Sequence, residues 1–256
     1  MSTRNEGKST ASPPPNRCAV GEHPRRDPVE ELTYLEIAEA RLRFPRVLLP
    51  SETPKLRGYL GTAFSEAELL HNHNAAGGLR YDYPRVQLKV VAEEALLVGI
   101  GEGVPIVVDV WSRCDVARLG DELLPILEAT LNRRRAAIGA LEQPLRYTFR
   151  SPWLGLNQDN HFAYACTTNE EVREQLLRRV LIGNCLSLAK SFGHRVATRL
   201  AADCRALHAL PCRLKGVSML GFRGSFSLNF SIPDRLGIGK SVSRGFGIVE
   251  RWNGDY

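Results

Sequence analysis

Near the C-terminus four glycines fall within eleven residues, Gly237-Ile238-Gly239-Lys240-Ser241-Val242-Ser243-Arg244-Gly245-Phe246-Gly247, and an apolar run, Ile248-Val249, begins directly after them. Few stretches constrain a chain more. Glycine lacks a Cβ, so it admits φ > 0 and lets other backbone or a ligand come close. Successive N–H groups in such a turn form a concavity that suits an anion, and Lys240 and Arg244 add attraction for phosphate. Two well-known phosphate loops do not fit. The GxxxxGK[ST] spacing is not met around Gly239-Lys240-Ser241. The run after Gly247 reads as a short terminal strand rather than the long helix that a dinucleotide fingerprint opens. The plain alternative is a surface hairpin with no ligand.

Charge placement speaks to what the loop serves. Between Arg205 and Arg251 there are eight basic residues and two acids, a net +6 that equals the formal net charge of the whole 256-residue chain. Arg223, Lys240 and Arg244 are among them, interleaved with Phe222, Phe226, Phe230 and Phe246. A basic, aromatic, glycine-rich end suits a polyanion such as nucleic acid. Six cysteines without CxxC spacing argue against a zinc ribbon and a secreted disulfide framework. With no signal peptide and no 18-residue apolar run, the expectation is a cytoplasmic protein without membrane association.

Three regions are expected. Residues 1–28 are rich in Ser, Pro and charge, and read as a disordered leader. Residues 29–150 and 151–256 read as two successive α+β domains. In the first, Leu32–Phe44 has strand character with both faces partly covered, a helix being the alternative, and Lys55–Glu68 reads as helix. Tyr81–Val91, Ala95–Ile100 and Pro105–Trp111 read as strands, Asp115–Ala140 as a helix ended by Arg133-Arg134-Arg135, and Leu145–Phe149 as a strand. In the second, His161–Thr167 alternates like a strand, and Asn169–Phe192 is the clearest helix, capped by Asn169. Val217–Phe222 and Ser225–Ile232 read as a pair of strands turning at Arg223-Gly224, and Phe246–Arg251 as the last strand.

In order along the chain stand Leu56-Arg57-Gly58-Tyr59-Leu60-Gly61, Leu69-Leu70-His71-Asn72-His73, Tyr83-Pro84-Arg85-Val86-Gln87-Leu88-Lys89-Val90, Val98-Gly99-Ile100-Gly101-Glu102-Gly103, Phe222-Arg223-Gly224-Ser225-Phe226, and the glycine-rich segment. With these pieces the chain resembles the CRISPR-associated endoribonucleases that cut precursor CRISPR RNA at each repeat, a RAMP-superfamily group, and most of all its b-type subgroup. The resemblance covers roughly Leu32 to Arg251; it leaves the leader unexplained. It implies two tandem ferredoxin-like (RRM-like) domains with the glycine-rich loop in the second. It implies CRISPR repeat RNA, or precursor crRNA, as partner along a basic face, and it allows other subunits of an interference complex or a second copy of the chain beside it. It implies cleavage without metal or cofactor, in which the 2′-OH beside the scissile phosphate is the nucleophile. The family's catalytic histidine falls near the first helix, and the matching positions are His71 and His73.

The chemistry stands apart from the resemblance. Internal RNA transesterification takes a proton from the 2′-OH and gives one to the 5′-oxygen, and histidine serves both ends near neutral pH. His73 is the expected main acid–base group, His71 its helper, and Tyr81 a nearby hydrogen-bond or stacking group, with Tyr83 the second candidate for that role. Lys240, Ser241, Ser243 and Arg244 are expected to hold the RNA backbone, with Arg223 and the glycines Gly237, Gly239, Gly245 and Gly247 shaping the cradle. His161, His194 and His208 are expected to be structural. A non-cleaving RNA-binding subunit on the same fold is the alternative; a nucleotide-binding enzyme is disfavoured by the missing Walker spacing.

Overall fold

The structure, a computed structural model, describes residues 32–70 and 83–252 together with Met1 and Gly254. The leader beyond Met1, His71, His73 and Tyr81 lie outside the described residues.

The first unit opens with β1 (Thr33–Arg43), then α1 (Thr53–Ala63), β2 (Val86–Val91), β3 (Glu94–Ile100) and α2 (Val104–Arg113). A small hairpin of β4 (Val116–Leu119) and β5 (Glu122–Pro125) precedes the long strand β6 (Glu128–Trp153). The sheet order is β2-β3-β1-β6, with each neighbouring pair antiparallel. This is the ferredoxin-like βαββαβ arrangement. Ala92 and Glu93, between β2 and β3, take φ of 51° and 68°. Two positive-φ residues match the strand twist in a two-residue turn.

The second unit reuses β6. Strand β6 passes without a break from the first sheet into the second, and register shifts between Ala140 and Leu145 and between Phe149 and Trp153 bend it. Then come α3 (Gln158–Ala165), α4 (Glu170–Ser191), β7 (Ala202–Asp203), β8 (Leu207–Leu214), β9 (Val217–Ser231) and β10 (Val249–Arg251). Strand β6 lies between β10 and β9, and β7 and β8 line the far edge of β9. The pattern repeats the first unit with one replacement. Where a second helix belongs, residues 232–248 carry the glycine-rich segment, with a single 3-10 turn at Val242–Arg244.

The two faces of the first sheet explain its strand sequences. Ala38, Ala40, Leu42, Leu88 and Leu97 pack under α1 and α2 with Leu56, Leu60, Val107 and Val110. Leu35, Ile37, Leu96, Val98 and Ile100 face the other way, into a core with Trp153, Phe222, Phe226, Phe230 and the α4 residues Leu177, Leu181 and Leu188. The two units therefore share one core, and β1 and β3 are covered on both sides, as the reading of Leu32–Phe44 anticipated.

Four expectations fail, each for a physical reason. Asp115–Ala140 is not a helix. Gly120 (φ 71°) turns β4 into β5, and residues 128–138 pair with the whole of β1. That pairing outweighs the helical spacing of the leucines; Leu123 and Leu127 are exposed. Arg133-Arg134-Arg135 are strand residues, not a helix end. Pro105–Trp111 forms α2, starting with Pro105 in its first turn and burying Val104, Val107 and Val110 at helical spacing. An apolar run so short carries no period that separates a buried strand from a buried helix. His161–Thr167 is mostly helix α3, capped by Asn157, whose side-chain oxygen accepts from the Asn160 N–H. Finally, β9 does not turn at Arg223-Gly224. The hairpin tip is Lys215-Gly216, with φ of 53° and 80°. Gly224 sits inside β9 at φ +121°, where a Cβ would lie 2.0 Å from the Ala206 carbonyl oxygen. A strand glycine of this kind marks a close backbone approach. The helix at Asn169 holds: the Asn169 side chain accepts from the N–H groups of Glu171 and Val172.

Candidate nucleic-acid interface

The glycine-rich segment folds onto the rest of the chain through its own backbone. Ile238 N–H donates to Gly247 O at 2.9 Å, Gly247 N–H to Pro152 O at 2.9 Å and Lys240 N–H to Leu154 O at 2.9 Å. Gly237 N–H donates to the Gln87 side-chain oxygen at 3.0 Å, and the Tyr83 hydroxyl donates to Gly237 O at 2.8 Å. Burial raises the Tyr83 phenol well above its usual range. Gly239 (φ +92°) lets the indole of Trp153 lie against the loop, since a Cβ there would fall 2.6 Å from Trp153 Nε1. Ser241 and Gly245 take left-handed φ of 56° and 85° on either side of the 3-10 turn. Ser243 is buried; Lys240 is exposed and Arg244 half-buried. The Lys240 ammonium donates to Leu156 O at 2.9 Å.

Arg57, on α1, ties this loop to Leu70, the last described residue before His71. Its guanidinium donates to Ser243 O at 3.1 Å and to Leu70 O, the residue just before His71, at 2.9 Å. Burial, reinforced by the Arg244 charge, pulls Arg57 down to about 10, so it remains charged at neutral pH. Tyr83, the next described residue, is bonded to the loop as well. The described residues flanking positions 71–82 are thus both fastened to the glycine-rich loop.

Beside the loop opens a cleft of about 590 Å³ whose walls are Ser51 in the turn before α1, Thr53 at its start, β6 near Arg150, the β8–β9 hairpin and Arg244 to Phe246. Among the described residues five basic ones line it, Arg150, Arg213, Lys215, Arg223 and Arg244, and no acidic one does. Arg223 donates to Arg150 O at 2.6 Å, and Arg150 is bridged to Glu250 at 3.2 Å. The cleft brings the expected residues Arg223, Arg244 and Gly245 together; it leaves Lys240 on the far side of the loop. Arg57, Arg150, Arg213 and Lys215 escaped the sequence reading as site residues. Arg57 stood in plain view inside the Leu56–Gly61 motif, whereas Arg150 needed the strand pairing to place it. If this cleft holds RNA, alanine at Arg213 or Arg223 lowers the slope of log K against log salt by about 1 for each phosphate the side chain had neutralised. Filter-binding titrations from low to high salt measure it, and an unchanged slope at both positions argues against phosphate in the cleft.

Behind the loop lies a buried charge. Lys89 on β2 is fully enclosed and donates to the Gln87 side-chain oxygen at 2.7 Å, the same atom that accepts from Gly237. Glu39, also buried, is held by Arg134 at 2.9 Å and by Arg235. Burial pulls the Lys89 ammonium from the ordinary 10.5 down to about 7, with the Glu39 charge opposing. The unfolded chain keeps that proton to higher pH than the folded one, so this group makes stability rise with pH between about 7 and 10.5. Below that window the cost of the buried charge is present in full. Urea midpoints at pH 7 and 9 are therefore expected to climb more steeply for the wild type than for Lys89→Met. Parallel climbs would mean Lys89 titrates normally.

The family comparison matches this division of the molecule. Residues 33–137 match the Cas6b N-terminal domain and residues 139–252 the Cas6b C-terminal domain. The chain belongs to the Cas6b family. The two matched regions meet at residue 138, inside β6, where the strand passes from one sheet to the other; the expected break near Arg150-Ser151-Pro152 also falls inside β6. A crystal structure of Cas6b superposes with a TM-score of 0.80 at 33% identity, covering 86% of this chain and all of that one. A second, described as the CRISPR RNA processing endoribonuclease Cas6b, gives 0.69 at 32% identity over the same shares. A type IV Cas6 crRNA endonuclease at 10% identity shares the fold, with a TM-score of 0.53. An uncharacterised protein of Methanocaldococcus jannaschii is 39% identical over 113 residues, 44% of this chain and 76% of its own length. The fold class is the expected one, tandem ferredoxin-like domains with a C-terminal glycine-rich loop. Among the described residues no helix is long and apolar enough to cross a membrane.

Proposed function

We propose that the protein binds CRISPR repeat RNA and cuts precursor crRNA by attack of the 2′-OH on the adjacent phosphate. The 2′-oxygen forms a bond to phosphorus as the bond to the 5′-oxygen breaks, leaving 2′,3′-cyclic phosphate and 5′-OH ends. His73 takes or returns the proton, His71 assists, and Tyr81 orients the reacting group; no metal or cofactor enters the step. Arg150, Arg213, Lys215, Arg223 and Arg244 hold phosphates, and positive charge there offsets the charge that gathers on the phosphate in the transition state. The observation that carries this reading is the joint made by Arg57. One guanidinium binds both the loop that borders the basic cleft and Leu70, the described residue before His71, which supports an acid–base role for the residues that follow Leu70. Membership of the Cas6b family supports the choice of RNA.

The test uses purified protein and labelled repeat RNA in EDTA, beside a substrate with one 2′-deoxy at the mapped cut site. Cutting in EDTA that the deoxy sugar blocks is the expected result. Cutting that EDTA abolishes would overturn the metal-free step. Tight binding without cutting would make the protein a non-cleaving RNA-binding subunit.

A further inference from the structure

We propose that the apolar cleft beside Phe162 is a stacking subsite for an unpaired base of the bound RNA. This rests on the RNA-binding reading given above. The cleft, about 870 Å³, lies on the opposite side of the glycine-rich loop from the basic cleft. It is lined by Pro211, Met219 and Leu220 from the β8–β9 hairpin, by Leu156 in the loop after β6, and by α3. Phe162 stands on α3 with 70% of its surface in water. A phenylalanine so exposed, on a helix that buries none of its residues, does little for the fold.

The rim indicates what would cover it. Lys240 of the glycine-rich loop and His161 of α3 border the cleft, and among the described residues no acidic one lines it. The amides of Asn157 and Gln158 stand at the same edge. An aromatic face, an apolar lining, amide groups able to meet a base edge and a cation able to meet a phosphate together fit a splayed-out nucleotide. Continuity points the same way. The glycine-rich loop borders both clefts, with Arg244 at the basic one and Lys240 at the apolar one. The same hairpin borders both, through Arg213 and Lys215 on one side and Pro211 and Met219 on the other. A single strand leaving the basic cleft over the loop reaches Phe162 with its backbone on Lys240.

Repeat RNA carrying 2-aminopurine at each single-stranded position in turn, with wild-type, Phe162→Ala and Phe162→Trp proteins, tests this. At one position the fluorescence is expected to be quenched by wild type and by Phe162→Trp but not by Phe162→Ala. Phe162→Ala is expected to bind that RNA about 5- to 150-fold more weakly, the range of losses seen when a stacking aromatic is truncated, with an unchanged salt slope. Equal affinity and equal fluorescence for all three proteins at every position would overturn the subsite and leave the RNA-binding reading standing. Failure of the wild type to bind RNA would overturn both. Loss of self-association in Phe162→Ala, with RNA fluorescence unaltered, would assign the cleft to a second copy of the chain and overturn the proposal.

Discussion

Alanine in place of Gly247 is expected to destabilise the protein by about 2–4 kcal/mol, the sum of a left-handed backbone that alanine resists and an overpacked contact. The residue takes φ +64°, and a Cβ built there falls 2.0 Å from the Ile238 carbonyl oxygen. The backbone cannot step aside cheaply. Gly247 accepts from Ile238 N–H and donates to Pro152 O, both at 2.9 Å, so shifting it breaks the closure of the loop and its seat on β6 together. For a chain of this size the melting temperature is expected to fall by roughly 5–15 °C. Gly183, inside α4 with nothing within 4 Å of its would-be Cβ, is the control. Alanine there is expected to raise stability by up to about 1 kcal/mol, through helix propensity alone. Parallel thermal melts of the two variants decide the matter. A Gly247→Ala protein that melts with the wild type would mean that the loop tolerates repacking, and a rigid cradle would no longer describe it.

The same loop shows how far sequence carries. Four glycines with a Lys and an Arg between them announced a tight turn beside an anion, and the tight turn is there. What could not be read was the direction in which its polar groups point. The N–H groups of Gly237, Lys240 and Gly247 are turned toward the protein, each bonded to a group remote in sequence, while that of Ile238 closes the loop on Gly247 O, and only the folded partners reveal that. Helix α4 was legible because its cap and its acidic first turn are local. Strand β6 was not, because what makes it a strand is β1, far earlier in the chain, pairing from Thr33↔Ile138 to Arg43↔Glu128. The leucines at helical spacing, Leu119, Leu123, Leu124 and Leu127, precede β6, and Gly120 and Pro125 among them are local signals against a helix. The basic cleft lies between these cases. The excess of charge after Arg205 was plain, but Arg150 and Thr53 reach the same cleft from other elements, so its walls became visible only with the topology.

Replacing His71 and His73 together by alanine is expected to slow cutting about 10²- to 10⁴-fold, the usual share of general acid–base catalysis, with RNA affinity and its salt slope unchanged. Arg57→Ala is expected to slow cutting too, for a different reason that a second readout separates. Arg57, lowered by burial to about 10, stays charged at neutral pH and so does not take the 2′-OH proton; its role in this reading is to position the chain. Its bonds to Leu70 O and Ser243 O hold Leu70, next to His71, against the loop. Its loss should therefore lower kcat at every pH while the pH–rate profile keeps its shape, whereas loss of a histidine removes a limb of that profile. Lysine at position 57 can restore the charge but not both bonds at once, because a single ammonium replaces a planar fork. It should recover only part of the rate. Single-turnover rates across pH 5–9 for the four proteins provide the measurement. A double-histidine variant that cuts at the wild-type rate would place the acid–base groups elsewhere. A profile displaced by Arg57→Ala would mean that Arg57 sets the ionisation of the catalytic group rather than the position of its backbone.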